Sequence, residues 1–140
     1  MPMIDVYAPA GLFPDVHALA TDLAATLKSV EQVPELQLFR ANTAAFVHEV
    51  PAAAISDVNG SSDHVRVTVL TNQGALDRDK QLAAVRELSR VVAEHAGDAS
   101  LVARTWVQLT EAYDGGWGIG GEALTNDGIV AAARAELSRQ

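Results

Sequence analysis

Two spacings of apolar residues succeed each other along this chain, one of about two residues and one of about three to four. Met3, Ile4, Val6 and Tyr7 are apolar, β-favouring types at the very start. They predict a strand that begins with the chain, and Pro2 is tolerated as its first residue because no ladder bond is lost there. Ala8 to Gly11 reads as a turn. From Val16 the apolar residues fall at Leu19, Ala20, Leu23, Ala24, Leu27 and Val30, a one-faced helix that Val33-Pro34 stops. The stretch from Gln37 to Val50 predicts a second strand, best between Thr43 and Glu49. Ala52 to Ser56 is a short helical turn, and Asp57 to Ser62 a loop with an exposed tip.

The same order then returns. Val65 to Thr71 alternates as a strand, Asn72-Gln73-Gly74 is a turn, and Leu76 to Ala96 is a helix. Its apolar face carries Leu82, Val85, Leu88, Val92 and Ala96, and Gly97-Asp98 ends it. After a turn at Ala99 to Ala103, Thr105 to Thr110 predicts a fourth strand. Thr125-Asn126-Asp127 caps a last helix from about Gly128 to Leu137, apolar at Ile129, Val130, Ala133 and Leu137. The halves align at a constant offset of 63, which sets Val6 on Val69, Gly11 on Gly74 and Leu19 on Leu82.

Each half is therefore a βαβ unit, with two parallel strands joined by a right-handed crossover. The fold class is α+β, with duplicated βαβ units forming a four-stranded mixed sheet, two helices on one face, and a C-terminal hairpin and helix. A single domain spans 1–140, with the first unit at about 2–50, the second at about 64–111 and the hairpin and helix at about 112–140. Helices on one face leave the other bare, and residues such as Tyr7, Val67 and Trp106 alternate between the two sides. An uncovered apolar face predicts self-association, and a symmetric ring is its natural form.

Composition narrows the partners. A chain of 140 residues, 49% apolar, is large enough for one core. It has no cysteine, so disulfides and thiolate metal sites are excluded. No apolar run approaches the roughly 18 residues of a membrane span, and the N-terminus lacks the pattern of a secretory signal. The expectation is a cytoplasmic protein without membrane partners. A formal charge of −8 and a pI near 4.8 speak against nucleic acid, whose phosphates need a basic surface. His17, His64 and His95 have no metal-ligand spacing, so no metal is expected.

Two stretches carry chemistry. If Met1 is removed, as a small second residue permits, Pro2 becomes a free secondary amine. A free α-amino group has a pKa of roughly 7.7–8, and burial in an apolar pocket lowers it. Such an amine can take a proton from carbon and return it elsewhere. The second stretch is Tyr113 to Glu122, with five glycines between Gly115 and Gly121. Trp117 and Ile119 alternate there as in a short hairpin strand.

Together, the Pro2 strand, the doubled βαβ order and Thr110-Glu111 followed by Trp117-Gly118-Ile119-Gly120-Gly121-Glu122 resemble the tautomerase superfamily. The hairpin is similar to that of the 4-oxalocrotonate tautomerase branch, and the length to that of malonate semialdehyde decarboxylase and its relatives. The resemblance implies a homotrimer, a cofactor-independent reaction, and a prolyl amine at Pro2 as catalytic base. In the decarboxylase and dehalogenase branches that amine is a general acid. Trp117 stands at the family's pocket aromatic, and Ile119 beside it.

The arginines that hold substrate carboxylates in the family have no counterpart at Gly11-Leu12, Trp106 or Asn72-Gln73-Gly74. Arg40 either holds an anionic substrate or makes a surface or interface salt bridge. His48 either polarises a carbonyl or is a structural histidine, and Asn72 either offers an amide to the pocket or only shapes a turn. The leading expectation is a tautomerase-like isomerase acting on an enolisable carbonyl compound. The alternatives are a proline-dependent decarboxylase or hydratase of a small acid, and a non-catalytic trimer that binds a small molecule or protein.

Overall fold

In the computed structural model, which describes residues 1–140, four strands form one sheet in the order β2-β1-β3-β4. They are β1 (Met3–Pro9), β2 (Ala44–Val50), β3 (Val65–Asn72) and β4 (Thr105–Ala112). β1 runs parallel to β2 and β3 parallel to β4, while β1 and β3 meet antiparallel at the centre with Val6 opposite Val67. The long helices α1 (Val16–Glu31) and α3 (Arg78–Ala96) cover one face. A short α2 (Gln37–Ala41) precedes β2; a hairpin of β5 (Trp117–Ile119) and β6 (Glu122–Leu124) and a final helix α4 (Asn126–Leu137) complete the chain. The mixed sheet of doubled βαβ units is the one the order of elements predicts.

Alternation along the strands builds the core. Ile4, Val6 and Ala8 of β1 and Val65, Val67 and Val69 of β3 are fully buried against Leu19, Leu23 and Leu27 of α1 and Leu88 and Val92 of α3. Each valine, leucine or isoleucine among them contributes about 1.5–3 kcal/mol relative to exposure. Asp15 caps α1 by accepting from the Ala18 N–H, and Asp77 caps α3 by accepting from Lys80. α1 ends before Pro34, with Gln32 in the left-handed region at φ 58°.

Two details depart from the sequence reading. Leu82 and Val85 of α3 are largely exposed, and the buried face carries Ala84, Leu88, Val91 and Val92 instead. At about 100° per residue, Leu82 lies nearly opposite Ala84, so the two cannot share a face. β1 and β3 keep the offset of 63, whereas Leu19, Leu23 and Leu27 match Ala84, Leu88 and Val92, two positions further on. The second departure is α2, which apolar spacing does not reveal because one turn is too short to show a period. Its counterpart in the second half is the 3₁₀ turn Ala99–Arg104. Thr43 Oγ1 donates to the Phe39 carbonyl at 2.8 Å and Thr105 Oγ1 to the Leu101 carbonyl at 2.9 Å, with Phe39 and Leu101 both buried.

The other sheet face is uncovered. Met3, Phe46 and Trp106 are exposed there, at 36%, 49% and 57%. Val67, by contrast, points into the core. Across the middle of this face runs a stack: the Arg66 guanidinium lies 4.4 Å from the Tyr7 ring centre, and Tyr7 stacks on His48 at 4.4 Å.

Behind the first half, α4 lays Ile129 and Ala133 on a second apolar cluster with Met1, Leu36 and Phe39. The Glu136 carboxylate of α4 accepts from the backbone N–H groups of Gln37 and Leu38 at 2.7 and 3.0 Å, which satisfies donors at the start of α2. The β5–β6 turn is Gly120-Gly121, with φ of 62° and 86° between paired Ile119 and Glu122. Two consecutive positive φ values are what a two-residue hairpin turn asks of its sequence.

Candidate active site

A βαβ unit returns the end of its helix to the start of its first strand, and the antiparallel β1–β3 pair brings the end of β3 to the same place. Three chain segments therefore meet at the first residues. The Pro2 carbonyl accepts from the Ala44 N–H at 3.2 Å, which extends the β1–β2 ladder to residue 2 and fixes the ring. Pro2 is buried. With Met1 attached, its nitrogen is an amide.

Met1 is only 2% exposed, inside the cluster of Leu36, Phe39, Ile129 and Ala133, against which Trp117, Ile119 and Leu124 also pack. The amino group of Met1 lies 3.4 Å from Glu31 Oε2 and 3.5 Å from Asn72 Oδ1. Glu31 is itself 4% exposed; its Oε1 accepts from Thr71 Oγ1 at 2.9 Å, and its backbone carbonyl accepts from Lys80 Nζ at 2.9 Å. Asn72 Nδ2 donates to Asn126 Oδ1 at 3.1 Å, and Asn126 Nδ2 to the Gln73 carbonyl at 2.9 Å, which orients both amides. Burial holds the Met1 amine below the ordinary α-amino value of 8.0, while the Glu31 carboxylate pulls it part of the way back.

Of the residues singled out in the sequence, Trp117, Ile119 and Asn72 surround Met1, the residue bonded to Pro2. Arg40 and His48 do not. Arg40 is exposed and lies 3.4 Å from Glu35, in an open groove of about 860 Å³ between α1 and β2 that Lys28 and Thr43 also line. Lys28 pairs with the same Glu35 carboxylate. His48 sits on the bare sheet face, its Nε2 2.7 Å from Asp5 Oδ1, opposite Tyr7 and several residues along the strand from Pro2. No three metal-ligating side chains converge anywhere in the chain, and no helix is long and apolar enough to cross a membrane.

Sequence reasoning missed Glu31, Thr71 and Asn126. A signal for Glu31 was present: it continues the stripe of Leu19, Leu23 and Leu27 at the same four-residue step. A carboxylate on a leucine stripe must be buried, and a buried carboxylate needs partners.

No protein-family model matches the sequence, nor does any curated protein. Solved structures do. A native fused 4-OT superposes with a TM-score of 0.71 at 19% identity, over 86% of this chain and 94% of its own. N1, a member of the cis-3-chloroacrylic acid dehalogenase family, matches with a TM-score of 0.74 at 16% identity, over 99% of both chains. The wild-type symmetric trimer of Q0 fused 4-OT matches at 0.74 and 18% identity, over 94% of this chain and 99% of the other. The chain has the tautomerase fold.

Proposed function

We propose that the mature chain lacks Met1 and that the secondary amine of Pro2 moves a proton in an enolisable carbonyl compound, as a tautomerase-like isomerase. The single observation behind this reading is that Pro2 is buried and bonded to Met1, which lies in an apolar cluster against which Trp117 and Ile119 pack. The free base takes a proton from the carbon next to the carbonyl, giving an enolate and a prolinium ion, and the proton returns to oxygen. No cofactor takes part. Trp117 and Ile119 supply the apolar wall that favours the neutral amine, and Asn72 offers an amide. Arg40 and His48 have no part in this reading within one chain. A homotrimer accords with the trimeric fused 4-OT structure and would cover the bare sheet face around its axis.

The test is intact mass followed by solvent deuterium exchange beside the carbonyl of an uncharged ketone such as 2-hexanone. The expected result is a chain short by one methionine, with exchange above buffer lost in Pro2→Ala. Equal turnover by both proteins would remove Pro2 from the chemistry. Two further readings each have an observation in favour. Glu31 beside the terminal amine favours a protonated nitrogen, which would make Pro2 a general acid in decarboxylation or hydration of a small acid. Met1 buried and paired favours a chain that retains it, as a non-catalytic binding trimer. Retained methionine in the purified protein selects the latter.

A further inference from the structure

Met1 fills a space whose chemistry is two-sided, and the residue occupying it is bonded to the Pro2 nitrogen. Its unbranched thioether chain lies in the apolar cluster of Leu36, Phe39, Ile129 and Ala133. Its amino group faces two acceptors, Glu31 Oε2 at 3.4 Å and Asn72 Oδ1 at 3.5 Å. Neither is free to turn away. The other carboxylate oxygen of Glu31 is engaged by Thr71, and Asn72 is oriented by its own donor bond to Asn126. Residue 1 is thus a cast of whatever can sit against the Pro2 nitrogen once the methionine is gone.

We infer that the substrate is an uncharged α-hydroxycarbonyl compound with an unbranched apolar tail about as long as the methionine side chain. The inference rests on the reading of Pro2 as the base. The hydroxyl takes the place of the Met1 amino group and donates to Glu31 and Asn72, whereas a substrate carboxylate there would face a buried carboxylate and an amide oxygen with no guanidinium to offset them. An ammonium head would meet the burial that already disfavours the charged form of the Met1 amine. In the reaction, the Pro2 nitrogen removes a proton from the hydroxyl-bearing carbon next to the carbonyl. A C–H bond breaks and an N–H bond forms, leaving an enediolate. The prolinium returns its proton to oxygen to give the enediol, which collapses to the isomeric hydroxycarbonyl compound with no net gain or loss of atoms. Glu31 is a specificity-determining group here, since it selects the head group.

The experiment follows solvent deuterium exchange at the carbon next to the carbonyl, C1 of 1-hydroxyhexan-2-one and C3 of 2-oxohexanoate, two probes of equal length, by NMR with chain lacking Met1. Expected is a rate over buffer at least tenfold greater for the hydroxyketone, abolished in Pro2→Ala. Glu31→Gln, its fold checked by circular dichroism, should shrink the preference tenfold or more. On the wild type alone, hydroxyketones of increasing tail length should gain in kcat/KM up to a butyl tail and no further. Preference for 2-oxohexanoate, no exchange of either probe, or indifference to tail length would overturn the inference. Exchange that persists in Pro2→Ala would instead overturn the proline reading itself, so the two failures are separable.

Discussion

The amino group of Met1 lies 3.4 Å from Glu31 Oε2, and both groups are almost wholly removed from solvent. A charge pair in an apolar setting is costly unless its remaining valences are filled. Here Thr71 fills one of them from the end of β3. The pair joins the end of α1 to the start of β1, so the identity of the first residue is a matter of stability as well as chemistry.

Removal of Met1 takes a buried methionine out of the second apolar cluster. Deletion of a buried side chain of that size costs about 2–5 kcal/mol when the surroundings do not collapse. Urea unfolding of the two forms, prepared with and without aminopeptidase, should place the shorter chain at the lower midpoint. Equal midpoints would mean that the hairpin carrying Trp117 closes over the gap.

In the form that keeps Met1, burial lowers the amine below 8.0, so the unfolded chain binds the proton more tightly than the folded one. Stability should then rise with pH between the folded and unfolded values and level off above 8.0. Below the folded value both states are protonated and the cost is constant. Glu31→Gln removes the pull that raises the folded value, so the rise should start at lower pH. A urea midpoint that is flat or falls across this window contradicts the assignment.

If Pro2 is the base we propose, Trp117→Ala should weaken the apolar cluster beside its nitrogen. The prolyl amine would regain solvent and its pKa would move up toward its ordinary value. In chain lacking Met1, the acidic limb of the kcat/KM profile should shift to higher pH, with kcat/KM at neutral pH down by about tenfold, which corresponds to roughly one pKa unit. An unmoved limb would assign Trp117 to packing alone.

The bare sheet face gives a prediction about assembly. Phe46 is half exposed on it, next to Met3 and the Tyr7–His48 stack. Sedimentation should give three times the chain mass for the wild type, and Phe46→Asp should give the mass of one chain. A wild-type monomer, or a trimer that tolerates the aspartate, would move the interface elsewhere.

The two faces of α3 separate by denaturation. Leu88→Ala should cost about 2–5 kcal/mol, and Leu82→Ala no more than about 0.5. Comparable losses at both positions would return Leu82 to the core.

The architecture was legible in the sequence because alternation in β1 and β3 and the leucine step of α1 are each several residues long, enough to show a period. Leu82 misled because the offset that aligns Gly11 with Gly74 does not carry into α3, where the buried set slips by two. α2 was hidden by its length. Pro2 and Trp117 were singled out by motif, whereas Glu31 and Thr71 are forty residues apart and meet only through the crossing of α1 and β3. Arg40 and His48 drew attention by residue type, which says nothing of the face a side chain occupies. Arg40 lies in the groove beside α1, and His48 on the far side of the sheet.

The central antiparallel pairing relates the halves by an approximate dyad that carries Pro2 onto Val65. Val65 sits in the interior of the polymer, so its nitrogen is an amide however the chain is processed. Of the two mirror corners of each subunit only one can host a terminal amine, and a three-fold assembly would offer three rather than six. The remaining corner, where the His64 ring tilts against Trp106 at 4.9 Å, is thereby released from any demand made by a catalytic terminus.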